Sequence, residues 1–138
     1  MAHPPPFASN VAQPPERPIL LWDGDCGFCK RCAMWLKSQT GDVVAYERYQ
    51  GQLGRFPELC EEALAYAVHF VETDGCVYHS AHAIYRAAAY SPGRECWLRR
   101  YEKSRAFAAA SEMGYRIVAS NRMFFSKLTK LIFGPPKS

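Results

Sequence analysis

The sequence predicts an α/β fold: a mixed four-stranded sheet built in the order β-α-β-α-β-β-α, followed by additional C-terminal helices. Three observations lead there. The apolar run Ile19-Leu20-Leu21-Trp22 passes through a tight Asp23-Gly24-Asp25 turn into a helical stripe, so a strand following that helix has to lie parallel to the first. An Asp74-Gly75 pair joins two further strand-like runs as a hairpin. Beyond residue 94 the pattern is helical throughout. With 138 residues, 49% of them hydrophobic and 22% charged, the chain has material for one domain with a real core, which excludes wholesale disorder.

Taken in order, the first 18 residues hold six of the ten prolines and little apolar content. Residues 1–18 are therefore expected to be an extended, largely disordered Pro-rich leader, with a single domain over 19–133 and a tail over 134–138. Ile19 to Trp22 is continuously apolar, as a strand buried on both faces requires. From about Gly27 to Ser38 the residues Cys29, Cys32, Ala33 and Leu36 recur at helical spacing, and Gly41 follows as a stop. Val43 to Tyr49, rich in β-branched and aromatic residues, makes the second strand. Pro57 opens a short helical segment to about Leu64. Ala65–Glu72 and Cys76–His79 are the hairpin strands, with both turn positions expected at positive φ. Ser80 is placed to cap the next helix, from Ala81 to about Tyr90, which Ser91-Pro92-Gly93 ends. A parallel pair followed by an antiparallel hairpin, with helices packed on the sheet, is the thioredoxin-like arrangement. Two more helices are expected, near Glu95–Ala110 and from about Tyr115 to Phe133. In the second, Ile117, Val118, Phe124, Phe125, Leu128, Leu131 and Ile132 share one arc, an amphipathic stripe expected to cover the sheet or its neighbours.

Charge divides unevenly. Residues 1–85 carry 6 basic and 10 acidic side chains and residues 86–138 carry 11 and 3, so the last third holds the whole +4 excess. That excess is too mild, and too poor in recognised motifs, to announce nucleic-acid binding. Its usual meaning is a solvated helix face; a weak peripheral contact of the basic C-terminal helix with an anionic membrane is the alternative. No stretch approaches the length of a bilayer span and no signal-peptide core is present, so a cytoplasmic location is expected. No Gly-rich dinucleotide turn follows a strand, and no flavin or nicotinamide cofactor is implied.

Three of the six cysteines lie within seven residues, at 26, 29 and 32, which points to local chemistry rather than scattered disulfide staples. A thiol at the first turn of a helix meets unpaired N–H groups and the positive end of the macrodipole, which favour thiolate. Cys26 has that place. Cys29, three residues on, stacks one turn inward, close enough for a disulfide and shielded from solvent. Cys26 is thus the expected nucleophile and Cys29 the resolving thiol of thiol–disulfide exchange, acting on protein or small-molecule disulfides. Asp25 reads either as the helix N-cap, the preferred reading, or as a proton acceptor for Cys29. Asp23 reads as a proton-handling carboxylate or as a brace for the turn. Cys32 continues the inward stripe as a small buried hydrophobe, and Cys60, Cys76 and Cys96 have no spacing that implies chemistry.

The segment Asp23-Gly24-Asp25-Cys26-Gly27-Phe28-Cys29 after its strand, the Asp74-Gly75 hairpin followed by Ser80, and Tyr115 with Asn121-Arg122 resemble the DCC-type thiol–disulfide oxidoreductases over most of residues 19–133. That resemblance implies a thioredoxin-like fold and redox exchange without naming a substrate. It also implies that Asn121 and Arg122 are more than helix filler; an Asn on an apolar stripe needs partners when buried, and bracing of Asp23 or Asp25 by Asn121 is the expectation. Two departures from the wider thioredoxin superfamily stand out. No proline lies between Pro57 and Pro92 to supply its cis-proline before the third strand, so the peptide-binding edge has to differ. Phe28 replaces the proline of Cys-Gly-Pro-Cys and brings the motif closer to glutaredoxin-like sites.

Rival classes are legible in the same residues. Asp23 and Asp25 resemble a phosphotransferase nucleophile and acid, but the later candidates for the second acidic pair, Glu72 and Asp74, fall in a hairpin. Cys26, Cys29 and Cys32 could supply thiolates to zinc, copper or an iron–sulfur cluster, although one continuous helix does not readily wrap a tetrahedral ion. His69, His79 and His82 read as packing or surface residues. A noncatalytic partner-binding domain, using the basic helices, is the third alternative.

Overall fold

The structure, a computed structural model, describes residues 6–121, 127–128 and 131–132. Strand β1 (Ile19–Trp22) leads through a four-residue turn into helix α1 (Gly27–Thr40), and β2 (Ala45–Arg48) returns parallel to β1 with Ile19 opposite Ala45 and Trp22 opposite Arg48. Helix α2 (Glu61–Tyr66) precedes β3 (His69–Val71) and β4 (Val77–His79), which form the antiparallel hairpin; β3 pairs antiparallel with β1. The sheet order is β2-β1-β3-β4. Helices α3 (Ser80–Ala88), α4 (Glu95–Lys103) and α5 (Arg105–Ser120) follow. This is a mixed α/β architecture consistent with a thioredoxin-like fold bearing extra C-terminal helices.

Two cores lie on opposite faces because successive strand residues alternate sides. Leu20, Trp22 and Phe70 meet Ala33 and Leu36 of α1 and Ala83 and Ala87 of α3. Ile19, Leu21, Val71 and Val77 meet Leu64 of α2 and the loop anchors Phe56 and Leu59. Val11 completes this second layer, so residues 7–18, expected to be largely disordered, are packed. They are fixed by the free edge of β4. The Val77 N–H donates to the Ser9 carbonyl at 2.9 Å, the Val11 N–H to the Gly75 carbonyl at 2.8 Å, and Asn10 bridges Cys76. Covering an edge strand in this way hides its pairing groups from other chains.

The hairpin turn differs from the expected one. Only Gly75 has positive φ, at 91°. The Gly75 N–H closes on the Glu72 carbonyl at 2.9 Å, the Cys76 N–H on Asp74 Oδ1 at 2.9 Å, and the Glu72 N–H on the Cys76 carbonyl at 2.9 Å. This is a three-residue loop with a left-handed glycine at its end, so Asp74 works through its carboxylate and not through an unusual backbone. Gly75 is doubly constrained, since a Cβ there would stand 2.9 Å from the Val11 carbonyl oxygen. Gly75→Ala is expected to lower stability by about 1–3 kcal/mol, the scale of one strained residue; a urea midpoint equal to wild type would contradict it.

Three helix boundaries are corrected. Pro57 lies in the loop that carries Phe56 and Leu59, and α2 begins at Glu61, where Glu61 and Glu62 favour a helix N-terminus. Ser80 is not the cap of α3: it is a buried residue with φ 60°, its hydroxyl is 3.0 Å from His79 Nδ1, and the Ala81 N–H donates to Glu112 Oε1 of α5 at 3.0 Å. The cap comes from a residue 31 positions away. Ser104 breaks the helical region earlier than expected, accepting the Phe107 N–H at 3.1 Å, so Tyr115–Ser120 belongs to α5 and not to a helix running from Tyr115 to Phe133. The apolar arc expected to cover the sheet is exposed at Ile117, Leu131 and Ile132; Phe124 and Phe125 lie outside the described residues. Among the described residues no helix is long and apolar enough to cross a membrane.

Candidate functional site

The cysteine turn sits where β1 and β2 end side by side. Parallel register places Arg48 beside Trp22, and hence Gln50 beside Gly24. The Gly24 N–H donates to Gln50 Oε1 at 2.9 Å, and Gln50 Nε2 donates to Asp23 Oδ1 at 2.9 Å. The same Asp23 oxygen accepts the Asp25 N–H at 2.9 Å, and the Asp23 carbonyl accepts the Cys26 N–H at 3.2 Å. Of the two readings of Asp23, the brace is the one these bonds display. Gly24 lies close to the end of β2: a Cβ would meet Arg48 Cδ at 2.6 Å and Gln50 Oε1 at 3.0 Å, so those side chains would have to move. Gln50 was invisible to motif reading, and its signal lay only in the strand register. Gln50→Ala leaves the half-buried Gly24 N–H without its acceptor and should cost about 1–2 kcal/mol; an unchanged unfolding midpoint would show that the amide does not hold the turn.

Cys26 itself is the N-cap of α1. Its backbone is extended (φ −110°, ψ 110°), and its Sγ accepts the Cys29 N–H at 3.2 Å. The expectation that Asp25 caps the helix fails for a local reason: the Asp25 N–H is already turned back onto Asp23, which leaves Asp25 exposed and one residue short of the cap. No acidic residue occupies the first turn of α1. The Cys26 sulfur therefore lies at the positive end of a 14-residue helix, on a backbone donor, where negative charge is stabilised. The burial of the pair is opposite to expectation, with Cys26 8% exposed and Cys29 half-buried.

Cys32 lies one turn further along α1. Burial pushes its thiol up to about 11, the Cys26 sulfur adds to the rise and Arg31 opposes it. Cys32 thus stays a neutral thiol near pH 7. Among the described residues no three His, Cys, Asp or Glu side chains come together as a metal-binding group. The histidines pack as expected. His69 is buried with Nδ1 2.8 Å from the Ala67 carbonyl, His79 stacks on Phe7 at 3.8 Å between ring centroids, and His82 stacks on Tyr101.

On the other side of Cys29 a cavity of about 510 Å³ opens between β1, α1, α3 and α5. Trp22, Leu36, Val68, Ile84, Tyr115 and Val118 are among its walls, together with the thiol-bearing Cys29 and Cys32. At the start of β3, where the wider superfamily carries its cis-proline, stands Val68, and no cis peptide occurs among the described residues. The Val68 N–H donates to Tyr115 Oη at 2.8 Å, and its carbonyl accepts the Ser80 N–H at 3.0 Å. Both backbone groups of Val68 are thus hydrogen-bonded within the chain. Asn121 closes α5, with Nδ2 donating to the Ile117 carbonyl at 2.7 Å, and is exposed; its observed bond is to its own helix and not to Asp23 or Asp25. Arg122 lies outside the described residues.

A family model described as DCC1-like thiol-disulfide oxidoreductase matches residues 20–128. The chain belongs to that family. Its match runs from β1 through the cysteine turn and the hairpin and past α5, so the family spans the whole sheet and the Cys26–Cys29 helix start. No curated protein and no solved structure gives a significant match. Membership in the DCC1-like family carries the thiol-disulfide oxidoreductase class at family level.

Proposed function

We propose that the protein is a cytoplasmic thiol–disulfide oxidoreductase in which Cys26 attacks and Cys29 resolves. The observation that carries this reading is the Cys26 sulfur at the N-cap of α1, accepting the Cys29 N–H. Thiolate is the reactive form, and this position favours it. The Cys26 thiolate attacks one sulfur of a substrate disulfide, the substrate S–S bond breaks, and one half leaves as a thiolate that takes up a proton. Cys29, losing its proton to the medium, attacks the Cys26 sulfur of the mixed disulfide and expels the second half. The substrate gains two electrons and the protein holds a Cys26–Cys29 disulfide, which another thiol system reduces.

A glutathione redox titration of the full chain, with alkylation and peptide mass spectrometry at each potential, tests this. The expected result is one reversible Cys26–Cys29 disulfide with a potential between about −120 and −270 mV, the span of known exchange catalysts. A pair that never forms, or joint protection of Cys26, Cys29 and Cys32 by added zinc or copper, would overturn it in favour of a metal module.

A further inference from the structure

We propose that the cavity beside Cys29 is the recognition pocket of the redox site, and that it takes a large, uncharged, apolar group, aromatic or branched aliphatic, attached next to the substrate's disulfide. The inference rests on the exchange activity proposed above and narrows its substrate. Position is the first support. Cys29 is itself a wall, so a group filling the cavity lies against the resolving thiol, three residues along α1 from Cys26. Character is the second. Arg31 is the only charged side chain among the described residues of the lining, while Trp22, Leu36, Val68, Ile84 and Val118 present apolar surface. Glutathione would bring two carboxylates and an ammonium to a lining whose described residues offer one charged side chain, Arg31, whereas an aromatic or branched side chain gains by leaving water. Size is the third, since about 510 Å³ falls within the range of small-ligand pockets and far exceeds a packing void.

The backbone bonds point the same way. With the Val68 N–H donating to Tyr115 and its carbonyl accepting from Ser80, the main-chain donor at the strand start beside the cavity is already used within the chain. Selection therefore falls on the side chain or organic group next to the sulfur. The overall step balances: the substrate S–S bond takes two electrons and leaves as two thiols, the Cys26–Cys29 bond forms, and the released sulfurs take up two protons, one matching the proton Cys29 loses and one from the medium.

The experiment follows oxidation of the reduced full chain by short peptide disulfides that differ only in the residue beside cysteine (Gly, Glu or Phe), and by a small benzyl disulfide. A non-reducible thioether analogue of the Phe peptide is titrated separately against the fluorescence of Trp22 and Trp35, both in the lining. The Phe peptide or the benzyl compound should be favoured over the Gly and Glu peptides in kcat/KM by about tenfold to a hundredfold, the scale of burying one large apolar side chain. Whichever of the two is faster identifies a peptide or a small-molecule source. Gly114→Leu adds bulk at the cavity wall, where a Cβ meets nothing within 4 Å, and favours the helix it sits in, so its unfolding midpoint should not fall. It should erase the preference, as should Val118→Asp, and both should weaken thioether binding. Equal rates for all substrates, or a preference that survives both substitutions, overturns the proposal while the glutathione titration still shows the Cys26–Cys29 pair. If that titration shows no pair although the thioether binds, the exchange reading is what fails.

Discussion

Cys26→Ser should abolish disulfide exchange without loosening the fold. Serine is among the best N-cap residues, and its Oγ can accept the Cys29 N–H that the Cys26 sulfur accepts at 3.2 Å, so the start of α1 keeps its hydrogen bond. Stability should stay within about 0.5 kcal/mol of wild type. Activity should fall on the order of 10³-fold or more, the scale of losing a covalent nucleophile. Cys29→Ser should behave differently: the first attack proceeds, resolution does not, and the chain accumulates as a mixed disulfide with substrate through Cys26. The pairing of these two variants is informative because Cys26 is the more buried thiol and Cys29 the one that lines the cavity. Trapped substrate on Cys29 in the Cys26→Ser chain, with an inactive Cys29→Ser chain, would reverse the assigned order. Mass spectrometry of the trapped species decides it.

The elements that local pattern encodes were legible, and those that depend on distant partners were not. Four continuous apolar residues ending in Asp-Gly-Asp, followed by thiols at helical spacing, suffice to place β1, the turn and α1, because their pattern is local even though distant Gln50 braces the turn. The same holds for the β3–β4 hairpin. Asp25 was misplaced by a preference: Asp outranks Cys as a cap, but the Asp23 carboxylate captures the Asp25 N–H first. Ser80 was misplaced similarly, since the true cap, Glu112, arrives from α5. The packing of the leader turns on side chains that meet distant partners, Val11 in the second core and Phe7 on His79, and on bonds to residues 75 and 77, which no window along the sequence can reveal. Gln50 and the Cys29 cavity are likewise products of register and helix docking.

Between pH 7 and pH 5 the protein should lose about 2 kcal/mol of stability on account of His69. The ring is fully buried, and burial pulls its pKa down from 6.5 to about 4, with the nearby His79 adding to the fall and the Ala67 carbonyl opposing it. The carbonyl can only accept, so Nδ1 carries the proton, and Nε2 has no hydrogen-bond partner among the described residues. A second proton on Nε2 would place an unpaired cation inside the sheet's second core. Above pH 6.5 folded and unfolded chains both hold a neutral ring, and the group is silent. As pH falls below 6.5 the unfolded chain binds a proton that the folded chain refuses, so stability drops by up to about 1.4 kcal/mol per pH unit and levels off below pH 4, where the folded ring also protonates. His79, also pulled down by its burial, acts with the same sign. Most carboxylates titrate below this window, which isolates the histidine contribution. His69→Leu gives up the bond to Ala67 and so starts less stable at pH 7, but its urea midpoint should fall much less steeply toward pH 5. A His69→Leu chain with the wild-type slope would move the pH dependence to another group.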